Sequence, residues 1–260
     1  MPSIMGILNV TPDSFFDKGA YFSIEKAIER AKEMVQEGAD ILDVGGAPSG
    51  PKSIPTPEEV ERERVIPVIE ALASKLSITL SIDTEKPRIA KEAVDKGATL
   101  INDISGFQKP EMVEVAAQCN ADLCLMHMQG TPQTMQIAPS YPEGVIPHIL
   151  QFFEKQIETL IQAGVKPGRI ILDPGIGFGK TVEQNLEILQ NLAAFKKFGL
   201  RILIGASRKS FLSKILGKNS IDLLPATLAI HTISIIRGAD IIRVHDVKEH
   251  RDVLSLSNYF

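Results

Sequence analysis

Asn9 closes an apolar run near the start of the chain, and Arg243, His245 and Asp246 interleave with another near its end. A guanidinium beside an imidazole suits a pyrophosphate, because the planar arginine fork matches phosphate oxygens. An amide oxygen suits Mg²⁺, which prefers oxygen ligands and keeps several waters beside substrate phosphates. His245 alone also reads as a structural histidine; its alternation with Arg243 and its place opposite Asn9 favour the ligand role. Asp83, Asn102 and Asp173 each sit at the downstream end of a further apolar run. Two acids and an amide facing one cavity would accept from the N–H-rich edge of a heterocycle, with Lys209 reaching a ring carbonyl. The same residues would also form a charge-balanced structural cluster. Ser207-Arg-Lys-Ser210 ends a strand and opens a helix, where backbone N–H groups favour an anion such as a carboxylate at Ser210.

Asp173-Pro-Gly-Ile-Gly-Phe-Gly-Lys180 has the look of a phosphate loop and fails its test. The P-loop needs a glycine five residues before Gly179, and that position is Pro174. Glycines at 175, 177 and 179 still let the backbone pass close to a flat ligand. Asp173 argues against an ordinary turn, since a carboxylate at a buried strand tip needs a partner.

These polar residues need a scaffold that gathers strand tips. Eight short apolar runs read as buried strands: 4–10, 41–46, 78–84, 100–104, 123–128, 170–174, 202–209 and 241–246. Helical periodicity separates them. Ile24, Ala27, Ile28, Ala31, Met34 and Val35 mark the first helix, and Gly38, Gly97 and Gly238 recur just past helix ends, where glycine caps cheaply. The second helix is expected from Pro57 with Thr56 as its cap, burying Val60, Val65, Val68, Ile69 and Leu72. The fifth is expected to turn Ile149, Phe152, Phe153, Ile157 and Ile161 inward. Eight such units imply one TIM (β/α)8 barrel domain over residues 1–260, with all downstream tips on one catalytic face. An open doubly wound sheet is the runner-up; it would leave edge strands, whereas every run here is near-continuously apolar. Three long loops, 11–23, 45–56 and 129–144, follow strands and so belong to that face.

Composition excludes several classes. With 28 basic and 32 acidic residues the net charge is -4, and no basic run marks a nucleic-acid surface. Cys119 and Cys124 lack the second pair of a zinc site and read as buried thiols of a reducing compartment. No apolar run reaches the ~18 residues of a membrane span, and no signal segment is visible. A cytoplasmic enzyme or binding protein is the expectation.

Six motifs in order now resemble one family. Gly6-Ile-Leu-Asn-Val-Thr-Pro-Asp-Ser-Phe15, Ile101-Asn-Asp-Ile-Ser-Gly106, Leu125-Met-His-Met-Gln-Gly130, Asp173–Lys180, Ser207-Arg-Lys-Ser210 and Arg243-Val-His-Asp-Val247 are similar to those of dihydropteroate synthases. The resemblance implies a TIM-barrel enzyme, usually a homodimer, that joins 4-aminobenzoate to a 6-hydroxymethyl-dihydropterin diphosphate and releases pyrophosphate. It implies that Asp83, Asn102, Asp173, Gly205 and Lys209 hold the pterin, with Ile104 and Met126 lining its slot. Asn9 would ligate Mg²⁺, and Asn9, Arg243 and His245 would hold the pyrophosphate. Phe178, Lys209, Ser210 and Ser49 would border 4-aminobenzoate, and sulfonamides would compete there. Asp83, Lys209, Arg243 and His245 would carry the catalysis.

One loop departs from the family pattern. After Asp43-Val-Gly-Gly46 the family usually reads Glu-Ser-Thr-Arg-Pro-Gly; this chain reads Ala47-Pro-Ser-Gly-Pro-Lys52. The usual threonine becomes Ser49 and the usual arginine Gly50. Three readings follow: Lys52 or Lys18 supplies the charge, the site separates aminobenzoate from sulfonamides differently, or turnover is altered. A pterin-binding methyltransferase domain and a non-catalytic pterin-binding module are the alternative functions.

Overall fold

The computed structural model describes residues 2–11, 24–51 and 53–256. Eight parallel strands close into a barrel in sequence order: β1 (Ser3–Asn9), β2 (Ile41–Gly45), β3 (Thr79–Asp83), β4 (Leu100–Asp103), β5 (Asp122–Met126), β6 (Ile170–Asp173), β7 (Arg201–Ile204) and β8 (Ile241–Val244). Closure is made by β1 on β8, with Ser3 opposite Ile241 and Met5 opposite Arg243. The doubly wound alternative is thereby excluded, since no strand among these is left as an edge.

Around the barrel run α1 (Ile24–Gln36), α2 (Glu58–Lys75), α3 (Pro87–Asp95), α4 (Pro110–Gln118), α5 (Val145–Gln162), α6 (Val182–Gln190), α7 (Ser210–Leu216), α8 (Leu224–Ile236) and α9 (Val247–Leu256). Each amphipathic helix lays its apolar stripe on the outward side chains of the strands. Ala27, Ala31 and Met34 of α1 thus share one core with Ile4, Leu8, Leu42 and Val44. Fully burying one of the larger of these side chains, such as Leu8 or Met34, contributes about 1.5–3 kcal/mol.

Two expectations for the helices need correction. Pro57, not Thr56, caps α2, and no side-chain hydrogen bond forms there; the Thr56 carbonyl instead accepts from Lys86 Nζ at 2.5 Å. Val60 and Ile161 face solvent rather than the core. Each lies at the margin of its apolar stripe, where spacing alone does not separate inside from rim.

Strand alternation assigns the chemistry. Side chains on one strand alternate between the barrel interior and the helix layer. Met5, Ile41, Leu100, Cys124, Ile171, Leu203 and Ile241 form a buried cluster inside the barrel, one from each of seven strands. Two residues further along, four of these seven strands carry polar side chains, Asp43, Asn102, Asp173 and Arg243, while the other three carry Ile7, Met126 and Gly205. The intended apolar plug thus fills only the lower barrel, and the upper layers are handed to charged groups.

Candidate active site

Arg243 spans the barrel mouth. Its Nε donates to Asp43 Oδ2 and its Nη2 to Asp83 Oδ2, each at 2.6 Å. Asp43, fully buried, also accepts from Ser81 Oγ at 2.5 Å and from Asn102 Nδ2 at 3.0 Å. Since Asn102 spends its NH₂ on Asp43, its amide oxygen is left for the cavity. Asp43 lies two residues beyond the interior Ile41 on the same strand and so faces inward with it. From sequence Asp43 carries no assigned role; the signal available was a carboxylate set inside the buried run 41–46.

Charge is unevenly tolerated here. Burial, against the pull of Arg243, pushes the Asp83 carboxyl up to about 7, and Asp43 and Glu61 add to the rise. Arg243 is held firmly charged; its burial is outweighed by Asp43 and Asp83. Burial also raises the Asp173 carboxyl, opposed by a 2.7 Å hydrogen bond from the Gly175 N–H. Burial, then Arg243, lowers the Lys209 ammonium to about 8, with Asp173 and Asp83 opposing. Its Nζ lies 3.9 Å from the Phe178 ring centroid, a cation–π contact. His245 falls to about 4, chiefly through burial and next through Arg243, so it is neutral at physiological pH. Ser207 Oγ lies 2.8 Å from His245 Nδ1 and accepts the His245 backbone N–H.

The loop after β6 is pinned from behind. Lys180 is buried and donates to the carbonyls of Gly175 and Phe178, both at 2.9 Å, and lies 3.1 Å from His127 Nδ1. Asn185 of α6 accepts the Gly177 N–H, and Thr181 closes a capping box with Gln184. Gly175 has φ +71, and a Cβ there would meet the His127 carbonyl oxygen at 1.9 Å. The apparent phosphate loop is therefore a rigid wall whose lysine serves the loop itself. His127 is likewise structural, its ring packed against Tyr141, His148 and Phe152. Asp103 points away from the cavity and holds the turn through the N–H groups of Ser105 and Phe107.

A cavity of about 300 Å³ opens over these groups, lined by Asn9, Ser49, Asp83, Gly205, Lys209, Arg243 and His245 among others. A deeper slot shares Asp83, Gly205, Lys209 and Arg243 and adds Asn102, Ile104, Met126, Asp173 and Phe178. Ser210 alone of the expected site residues lines neither; it is the exposed first residue of α7, beside Lys209 as its cap. Ser49 borders both spaces, and Gly50 has open space where a side chain would project. Lys18 and Lys52 lie outside the described residues, as does the first loop from residue 12 to 23. Nearby, Arg64 of α2 donates to the Gly46 carbonyl and so braces the root of the altered loop.

Fold and site together define a barrel enzyme whose mouth gathers buried carboxylates and an amide around Arg243 and Lys209. The profile of the pterin binding enzyme family matches residues 5–245. The dihydropteroate synthase of Escherichia coli K12 is 44% identical over 248 residues, covering 95% of this chain and 88% of that protein. A dihydropteroate synthase from Yersinia pestis, solved as a sulfonamide drug complex, superposes with a TM-score of 0.94 at 40% identity, covering 99% of this chain and 94% of that one. One from Xanthomonas albilineans, solved with 4-aminobenzoic acid, gives 0.93 at 35% identity, covering 99% and 92%. The chain belongs to the dihydropteroate synthase family of pterin-binding enzymes.

Proposed function

We propose that this chain condenses 6-hydroxymethyl-7,8-dihydropterin diphosphate with 4-aminobenzoate, giving 7,8-dihydropteroate and pyrophosphate. The observation that carries the reading is the pairing of two zones in one cavity. Asn102 and Asp173 line the deeper slot, Asn9 and His245 line the outer cavity, and Asp83, Lys209 and Arg243 border both. Family membership supports the same reaction.

Asp173 and the free oxygen of Asn102 accept the ring N–H groups, and Lys209 donates to the ring carbonyl. Ile104 and Met126 cover the ring faces. The slot measures about 20 Å³, roughly the space of one water. Lys209 and Arg243 therefore swing aside as the ring enters, and Arg243 is released toward the diphosphate. His245 and the remaining guanidinium edge hold the diphosphate, whose charge raises the His245 pKa.

Asn9 supplies one hard amide oxygen at the rim. Among the described residues no cluster of three His, Cys, Asp or Glu would hold an ion unaided. That donor set fits Mg²⁺, which takes few protein ligands and completes its shell with phosphates and water. Bound there, the ion would neutralise charge on the leaving pyrophosphate.

The C–O bond breaks first and its electrons leave with pyrophosphate. Ionised Asp83 offsets the positive charge that develops on the pterin methylene. The arylamine lone pair then forms the C–N bond, and the amine proton passes to solvent. A weakly basic amine needs no strong general base. Phe178, Lys209 and Ser49 border the aminobenzoate, with its carboxylate toward the start of α7 at Ser210; sulfonamides would compete for this place. The enzyme acts as a cytoplasmic homodimer, and no helix among the described residues is long and apolar enough to cross a membrane.

The test is pyrophosphate release measured with Mg²⁺ and each substrate alone or together. Release coupled to dihydropteroate formation is expected. Asp83→Ala should lower kcat by about 100-fold while keeping the fold, as removal of one charge-stabilising group does. Near-parental turnover by that variant would sink the assignment. A non-catalytic pterin binder is the second reading, motivated by Gly50 in place of the usual arginine; it would bind pterin and release no pyrophosphate.

A further inference from the structure

Two histidines away from the cavity form a directional chain. His231 on α8 and His250 on α9 are both buried, with His231 Nδ1 2.8 Å from His250 Nε2. His231 Nε2 accepts the backbone N–H of Ala206 at 3.1 Å, just past β7. A backbone N–H only donates, so His231 Nε2 carries no proton and Nδ1 carries it. Nδ1–H then donates to His250 Nε2. That leaves the proton of His250 on Nδ1, which donates to the Asp246 carbonyl at 2.6 Å. Each link fixes the tautomer of the next, and both rings are neutral. A second proton on either ring would set donor against donor.

The chain joins two strand tips that the sheet no longer holds together. The β7–β8 ladder runs to Ile204 opposite Ile242 and is followed by the residues that carry the chemistry. Three ties continue it: Ser207 to His245, Arg208 to Asp246 at 2.6 Å, and Ala206 through the two imidazoles to the Asp246 carbonyl. The turn they brace is strained, since Arg208 has φ +54. Non-glycine residues in that region persist only where the surroundings hold them. Here the Arg208 N–H is taken by Thr227 Oγ1 and its side chain by Asp246. Lys209 leaves this turn directly, and its N–H returns to the Ala206 carbonyl.

We infer that His231 and His250 are positioning residues: a neutral two-imidazole relay that sets the turn bearing Lys209 against the tip bearing Arg243 and His245. The inference rests on the proposed reaction for its kinetic readout alone. His231→Phe keeps the ring volume and cuts both links, whereas His231→Gln can accept from Ala206 and donate to His250. His231→Phe should unfold cooperatively with parental circular dichroism yet lose about 100-fold in kcat with a smaller change in KM, and His231→Gln should recover to within about tenfold. Parental kcat in His231→Phe, or a His231→Gln variant equally impaired, overturns the relay. Long-range ¹H–¹⁵N spectra of the parent, which need no turnover, should show Nδ1–H on both rings and a slowly exchanging Ala206 amide. Nε2–H on either ring overturns the relay whatever the reaction proves to be. Should His231→Phe not fold, His231→Gln and these spectra decide the matter.

Discussion

At the scale of single residues the site is a contest among carboxylates for one guanidinium. Arg243 serves Asp43 and Asp83 at once, and Asp43 also holds Ser81 and Asn102. Asp83 therefore sits near two other acids, and burial with Asp43 and Glu61 keeps its carboxyl up to about 7. Only its ionised form offsets positive charge, so kcat/KM should fall as pH drops below about 7. The sign follows from the carboxyl: protonation removes the negative charge. Asp43→Asn takes away one neighbouring negative charge and frees Arg243 for Asp83. Both effects lower the Asp83 pKa, so the acid limb of the pH–rate profile should move toward lower pH. An acid limb that stays in place, or moves up, would separate Asp83 from the rate. Asp43→Ala is a poorer probe, because it leaves the buried Arg243 guanidinium short of a partner, along with Ser81 and Asn102, and breaking a buried ion pair costs about 3–5 kcal/mol of stability.

Between residues and fold stand the loops and strand tips. Strand positions, the closed order and the neighbourhood of Asn9 with Arg243 were legible in sequence, because apolar runs and period-two alternation report directly on burial. Asp83, Asn102, Asp173 and Arg243 were legible for the same reason, each being polar at an otherwise buried tip. Lys209 ends the seventh run read from sequence, whereas the strand itself stops at Ile204 and Lys209 caps α7. The roles of Asp43, Lys180, His231 and His250 were not. Asp43 meets partners 38, 59 and 200 residues away, Lys180 reaches His127 across 53 residues besides its own loop, and His231 meets Ala206 and His250 across 25 and 19; no local pattern encodes these long pairings. The β2–α2 loop shows what remained at the level of elements. Ser49 borders the cavity, Gly50 has open space beside it, and lysine cannot copy a bidentate arginine. Gly50→Arg should therefore be accommodated and lower the KM for 4-aminobenzoate by about tenfold, the worth of one charge-assisted hydrogen bond. Unchanged KM, with unchanged sulfonamide inhibition, would show that the loop has no need of the charge.

On the scale of the whole molecule, the barrel leaves one side unfinished. α8 turns Thr227, His231 and Ser234 inward and is otherwise rich in Leu, Ile and Ala, residue types that belong in an interior. Yet Ile233 and Ile236 are exposed, the latter at 80%, and Ile215 and Leu216 of α7 are exposed as well. Exposed apolar groups on consecutive helices mark an interface. In the homodimer proposed above, these two helices would meet their copies. The same helices have inner faces that matter to the site: Lys209 caps the start of α7, and α8 carries Thr227 and His231 against the β7 turn. Dimer contacts would thus stiffen the turn from outside while the imidazole pair holds it from within. Ile236→Glu places a charge in the contact, and burying an unpaired carboxylate there is too costly for association to survive. Sedimentation velocity should give the parent at twice its 28.4 kDa chain mass and the variant at that mass. The separated variant should keep its circular dichroism and show a lower kcat. A parent that sediments as a single chain, or a monomeric variant with parental kcat, would remove the interface from any part in setting the turn.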